Sequence, residues 1–297
     1  MTQDKGLPAP IGVVYNTSMA RADAALALAA LYVESSRREA KVSGICVAGS
    51  GFDAAIFCDI VARFYTSSTR VPSSNAVLPI GFPSDPPVPP NPAMVETTIS
   101  RKRADGQPQY TRTIQRVTDT AAPDALLRNA ITFSAETVVV LSAPATWLVR
   151  AVGLAGARAQ YQQHVKRVVV VEAGEADRDP AALKSLVAAI PVPVVLCGRD
   201  VGEALAVPRS RIESSFAWAP ANPVADAIVA AGGTDVPLHD VAALFYALHP
   251  DSGCFTVTDG RLAVVPEKKT DCAAELVALA TSKPASPPPR GGGLVKN

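Results

Sequence analysis

Aromatic residues are scarce, at 5% of the 297-residue chain. No uninterrupted apolar run approaches the roughly 18 residues a membrane-spanning helix needs, so a membrane protein is excluded as an expectation. Neither sign of charge predominates: 28 Lys and Arg stand against 27 Asp and Glu, a net charge of +1. No global field therefore draws the chain to nucleic acid or to anionic lipid. The five cysteines, Cys46, Cys58, Cys197, Cys254 and Cys272, include no CxxC pair and are odd in number. That pattern argues against a disulfide framework or a zinc site and reads as buried thiols in a reducing compartment. The opening "MTQDKGLPAP" lacks the apolar stretch of a signal peptide. The expectation is a cytoplasmic protein, although a secreted chain trimmed of its leader would read the same.

What the chain does have is alanine, valine and alternation. Buried-strand runs such as "IGVVY" (11–15), "KVSGICVAG" (41–49), "TVVVLSA" (137–143), "VKRVVVVEAG" (165–174) and "VPVVLCG" (192–198) alternate with helical patterns. Those patterns fall at 23–40, 53–65, 124–131, 146–155, 179–190 and on "VADAIVAAGG" and "DVAALFYALHP". "VLPIGF" (77–82) reads as a further strand, and "CFTVTDGRLAVVP" as a closing hairpin with a DG turn. Continuous β-branched runs separated by helices indicate parallel strands covered on both faces. The expected fold is α/β, a single-domain, doubly wound, mostly parallel sheet of Rossmann-like type. Residues 1–10 read as a tail, 11–278 as the domain and 279–297, with "SKPASPPPRGGG", as a disordered tail. Within the domain, 83–119 is a proline-rich, then basic insertion with little apolar periodicity, either a lid or a solvated surface loop. Its five basic residues and one tyrosine between Arg101 and Arg116 are a weak sign of a nucleic-acid partner.

Two junctions carry chemistry. The turn "NTSMARAD" (16–23) joins the first strand to the first helix, the place where α/β proteins bind ligands. It has no glycine, so neither a GxGxxG loop nor a P-loop can form there. By themselves Asn16, Thr17 and Ser18 read better as turn and capping residues than as a site, and Asp23 as a carboxylate at a helix start. "VPLHDVAALFYALHP" (236–250) presents His239 beside Asp240 at another helix start, which a capping role would also explain.

Taken together, the two stretches resemble the inosine-uridine-preferring nucleoside hydrolases. Members of that family open with a strand ending in "DTDPGIDDALALLLAL" and carry "PLHDPLAVAYLLDP" near the C-terminus. "LSAPATWLVRAV" (141–152) is similar to the family's "LGPLTNLALAL" and "VKRVVVVEAG" to its "IKRIVIMGG". "VPVVLCGRDVGEALAVP" is similar to "IPVTLVGLDVTHQALLT", and "VSGICVAGS" to "GVTTVAGN". The likeness runs in order from about residue 11 to 265.

The resemblance implies a Ca²⁺ ion at the strand ends, held by carboxylates, a threonine carbonyl, a water and the ribose hydroxyls. A carboxylate deprotonates the water, which attacks the anomeric carbon, and a histidine assists the leaving base. Hard cations take six to eight oxygens and acidify bound water, and an oxocarbenium-like sugar needs negative charge nearby. Carried onto this chain, the metal set is Asp23, Asp240, Thr146 and Ser18, with Ser18 standing where the family has its general-base aspartate. Asn16 falls on the first aspartate and Ala22 on the ribose-gripping one. Trp147 replaces an asparagine, either stacking on a base or filling a vacancy. Glu175 and Asp177 stand in for a largely deleted ribose clamp, Glu172 is a further carboxylate, and His239 takes the place of the acid. Loss of a general base alone costs roughly 10²–10⁴ in rate. The implied activity is therefore N-glycosidic hydrolysis of ribonucleosides that is weak, altered or lost, with Ca²⁺ binding weakened or absent. The alternative is a non-catalytic nucleoside- or ribose-binding protein, or a structural oligomeric pseudoenzyme. A dimer or tetramer is implied by the family alone.

Overall fold

A computed structural model describes residues 10–67, 80–83, 92–132, 136–174 and 179–285. The strands are β1 (Ile11–Thr17), β2 (Ala40–Val47), β3 (Ile80–Gly81), β4 (Thr137–Ser142), β5 (Val165–Glu172), β6 (Val194–Gly198), β7 (Val207–Pro208), β8 (Asp235–Val236), β9 (Phe255–Thr258) and β10 (Arg261–Val264). The helices of the first half are α1 (Ala22–Arg37), α2 (Phe52–Ser67), α3 (Ala93–Ser100), α4 (Pro123–Ala130), α5 (Thr146–Gly153) and α6 (Ala157–His164). Those of the second half are α7 (Pro180–Ala189), α8 (Arg199–Ala204), α9 (Arg209–Ser215), α10 (Pro223–Ala231), α11 (His239–Leu248) and α12 (Lys269–Thr281).

Eight strands form one sheet in the order β3-β2-β1-β4-β5-β6-β10-β9. Every pairing is parallel except β9 with β10. The expected doubly wound, mostly parallel α/β architecture is what the chain adopts. Val-rich runs such as "TVVVLS" in β4 are buried along their whole length, as strands covered on both faces must be. One apolar layer packs α1, α2, α10, α11 and α12 on one face, and a second packs α4 to α7 on the other. The chain winds from β1 to β3 in one direction and from β4 to β6 in the other. The reversal lies between β1 and β4, and the crevice at their C-terminal ends is where such folds place a ligand.

Three local expectations change. The 83–119 segment, where described, is part buried and part exposed: α3 buries Met94, Val95 and Thr98, and Tyr110 and Ile114 are also buried, while 101–108 and 115–118 are exposed. Its polar groups hold it down. The Asp59 carboxylate of α2 accepts the backbone N–H groups of Thr113 and Ile114, and Asp226 of α10 receives Arg101 and the Tyr110 hydroxyl. Second, Cys254 and Cys272 form a disulfide, while Cys46, Cys58 and Cys197 are buried thiols. The pair lies 18 residues apart and is brought together only by the packing of α12. Third, α12 runs to Thr281, past residue 278, and Ala285 N–H donates to Ser36 Oγ. The closing hairpin forms as expected, with Asp259 and Gly260 both at positive φ, the signature of a type I′ turn. Among the described residues no helix is long and apolar enough to cross a membrane.

Candidate functional site

Ser18 follows the last residue of β1, and its N–H donates 2.8 Å to the carbonyl of Ser142 at the end of β4. This single bond closes the crevice floor at the switch point. Ser50 supports the turn from below by donating its hydroxyl to the Ser18 carbonyl. Met19 follows with φ 49° and is fully buried, a left-handed conformation that costs a non-glycine residue free energy. The turn is held there by the Met19 N–H on Thr17 Oγ1 at 3.0 Å.

Beyond the turn, Arg21 N-caps α1 and reaches into the crevice. Its Nε and Nη2 lie 3.1 and 2.7 Å from Asp240 Oδ2, and Nη2 donates 2.6 Å to Ser142 Oγ. Nε is also 3.6 Å from Asp23 Oδ1. The other Asp240 oxygen accepts the hydroxyl of the fully buried Tyr15 at 2.7 Å. Asp23 Oδ2 in turn accepts the backbone N–H of Asp240 at 2.6 Å. Both carboxylates are buried in the first turns of α1 and α11, where helix dipoles favour negative charge. Burial alone would raise the Asp240 carboxyl. The Arg21 charge and the hydrogen bonds from Ser142, Arg21 and Tyr15 outweigh it and hold the group below the usual carboxylate range.

His239 stands beside this cluster with its Nε2 3.2 Å from the carbonyl of Arg199. A carbonyl only accepts, so Nε2 carries the proton and Nδ1 the lone pair. Burial first, then the Arg21 charge, lowers the pKa of the ring, which is neutral at physiological pH. Gly202 makes this seat: a Cβ there would fall 2.1 Å from the imidazole. The one proton of the neutral ring is thus directed at a backbone carbonyl.

A cavity of about 480 Å³ opens over the cluster, lined among others by Arg21, Asp23, Met94, Val236, Pro237 and His239. The remaining expected residues are placed differently. Asn16 alternates away from Tyr15 to the opposite face of the sheet, beside Cys46 and Leu141, fully buried. Its amide has no hydrogen-bond partner among the described residues. Thr146 is exposed in the first turn of α5 and donates its hydroxyl 2.8 Å to Asp179, the N-cap of α7. Trp147 packs half-buried on the second apolar layer under the Arg150 guanidinium, 4.4 Å from the ring centroid, and does not line the cavity. Glu172 ends β5 in a separate cleft of about 530 Å³ near Arg261. Glu175 and Asp177 lie outside the described residues.

The fold as a whole is shared with known structures. Neither a protein-family model nor a curated protein sequence matches the chain. Solved structures do. A plant nucleoside hydrolase, PpNRh1, superposes with a TM-score of 0.60 at 15% identity, covering 92% of this chain and 99% of that one. The chain has the nucleoside hydrolase fold. The inosine-uridine preferring nucleoside hydrolase from Bacillus anthracis gives 0.61 at 13% identity over 91% and 99% of the two chains. The type III effector protein XopQ, solved with adenosine diphosphate ribose, gives 0.58 at 13% over 94% of each.

Within the nucleoside hydrolase fold the crevice would be expected to take Ca²⁺, and the residues present do not fit it. The Asp240 oxygens already accept a guanidinium and a phenol, and Asp23 Oδ2 accepts a backbone N–H. A divalent ion brought there would meet a permanent positive charge 2.7 Å from the oxygen it needs. Among the described residues no group of three or more His, Cys, Asp or Glu side chains is placed to hold a metal. Reading the sequence missed Arg21 altogether, along with Tyr15, Ser142 and Gly202. The signal for Arg21 was a lone basic residue two positions before the turn's single carboxylate.

Proposed function

We propose that this protein is a nucleoside hydrolase-like binder of a nucleoside or other ribose-bearing small molecule, and that efficient Ca²⁺-dependent hydrolysis of ribonucleosides has been lost. One observation carries the reading: both carboxylates of the crevice are consumed by donors of the protein itself. No base is left over at Ser18, whose hydroxyl cannot deprotonate water at neutral pH. Ala22 has no group to grip a ribose hydroxyl, and orientation of substrate supplies much of such a barrier reduction. His239 is neutral with its proton engaged, so departure of the base gains no acid from it.

The cleft nevertheless persists. Its volume of about 480 Å³ lies in the range of small-molecule sites, with apolar walls from Met94, Val236 and Pro237 above a polar floor. Apolar walls suit the flat face of a base, and the adenosine diphosphate ribose bound to XopQ supports a ribose-bearing ligand. The test pairs turnover with binding. Nitrophenyl riboside and natural nucleosides are incubated with added Ca²⁺ or with EDTA, and the same nucleosides, ribose and adenosine diphosphate ribose are titrated by calorimetry. The expected result is no metal-dependent turnover, together with saturable binding that an Ala231→Trp substitution at the cavity wall weakens. Turnover abolished by EDTA would overturn the loss of hydrolysis. Absence of binding by every ligand would overturn the binding role.

A further inference from the structure

The crevice poses an electrostatic problem that the turn itself solves. Asp23 and Asp240 are both buried, and the backbone N–H of one is hydrogen-bonded to the carboxylate of the other. Two carboxylates this close and this dry cannot both stay ionised without a positive charge between them. We propose that the Arg21 guanidinium is the built-in cation of this junction, doing for Asp23 and Asp240 what a bound divalent metal would otherwise do, so that the protein folds without metal and binds none there. The inference deepens the reading above by naming what occupies the metal's place.

Three features of the geometry carry it. The guanidinium is permanently charged, and its planar fork sets Nε and Nη2 on the same Asp240 oxygen while Nη2 also reaches Ser142. The same Nε lies 3.6 Å from Asp23 Oδ1, so one group faces both carboxylates. And it is attached to the N-cap of the helix that carries Asp23, two residues away. A tethered cation acts at an effective concentration that a free ion at ordinary levels must compete with. Ser142 and Tyr15 complete the shell with hydroxyls, which match a guanidinium–carboxylate pair as well as they would an oxygen-lined metal site.

The role can be transferred experimentally. Protein stripped with chelator is melted with EDTA, with millimolar Ca²⁺ and with Tb³⁺, and Tb³⁺ luminescence is excited through nearby tyrosine, Tyr15 being in contact with Asp240. For the wild type the melting temperature is expected to be the same in EDTA and Ca²⁺, with no sensitised luminescence. Arg21→Met is expected to melt lower without metal and to recover with Ca²⁺, with Tb³⁺ bound about tenfold or more tighter than by the wild type. Arg21→Lys keeps a positive charge and is expected to stay folded and indifferent to metal. Should Arg21→Met be recoverable only in the presence of Ca²⁺, that dependence itself supports the proposal. Stabilisation of the wild type by Ca²⁺, or an Arg21→Met chain that melts like the wild type and ignores metal, overturns it. No nucleoside enters these measurements, so they stand or fall apart from the ligand-binding test.

Discussion

Helices α1 and α11 lie side by side, and charges tie them at both ends in opposite physical regimes. At their first turns Asp23 and Asp240 are buried around the Arg21 guanidinium. At their far ends Glu34 faces His249 at 3.6 Å and Arg37 at 3.8 Å, beside an open cleft of about 760 Å³. The Glu34 hydrogen bond raises the His249 pKa against the opposing effect of burial, with Glu39 and Glu275 adding to the rise. One end is dry, held by a charge that does not titrate and fully hydrogen-bonded around Asp240. The other is half-open: the Glu34 carboxylate is buried, but its partners His249 and Arg37 reach solvent, and one of the two is an imidazole that titrates. Removing the one cation of a desolvated cluster strands its charges, whereas Glu34 keeps Arg37 and nearby solvent when His249 is removed.

The largest effect expected from this contrast is at the dry end. Arg21→Met should cost about 3–5 kcal/mol in urea unfolding, against under about 1 kcal/mol for His249→Gln. Equal costs would break the comparison. Next comes the far end's covalent tie. Reducing Cys254–Cys272, or Cys254→Ser, should cost roughly 2–4 kcal/mol, since the bond closes a loop of moderate length. A melt with and without dithiothreitol reads this directly, and the loss should add to that of Arg21→Met because the two sites share no partner. Gly202→Ala should cost about 1–3 kcal/mol by forcing the His239 ring off the Arg199 carbonyl. Imidazole nitrogen shifts in NMR would then show a changed tautomer, and an unchanged ring would sink the assignment.

The smallest effect is the pH dependence, and its sign differs between the ends. His249 has a raised folded pKa, so its contribution is complete below its unfolded value of about 6.5 and fades as pH rises through the folded one. Asp240 has a lowered pKa, so its contribution is complete above an unfolded value of about 3.9 and is lost only in acid. Melts between about pH 6 and 9 should fall slightly for the wild type and stay flatter for His249→Gln. A fall of the same size in both would place the titrating group elsewhere.

The sheet was legible in the sequence because its signal is local. Runs such as "TVVVLS" and "IGVVY" announce strands buried on both faces, and "DG" at 259–260 announces the hairpin turn, while Asn16 and Thr17, read as turn, extend β1. Short helices without a clean apolar stripe escaped. α3 follows a proline-rich stretch, and its burial depends on α10 and on the anchors at Asp59 and Asp226, more than 100 residues apart from one another in sequence. The disulfide escaped for the same reason: cysteine spacing is silent when packing, not sequence, makes the neighbours.

The sequence by itself determined the parallel α/β sheet and the strand–helix junctions that start with Asp23 and with His239 and Asp240; that these junctions meet was implied only by the resemblance to nucleoside hydrolases. Apolar periodicity and helix starts are written within a dozen residues and survive wide divergence. Only the tertiary structure decided what those groups do once they meet. It turned Asn16 to the opposite face, locked His239 onto a carbonyl, and laid the Arg21 side chain between carboxylates that are up to 219 residues away. Charge pairing acts through space, so its outcome belongs to the folded chain.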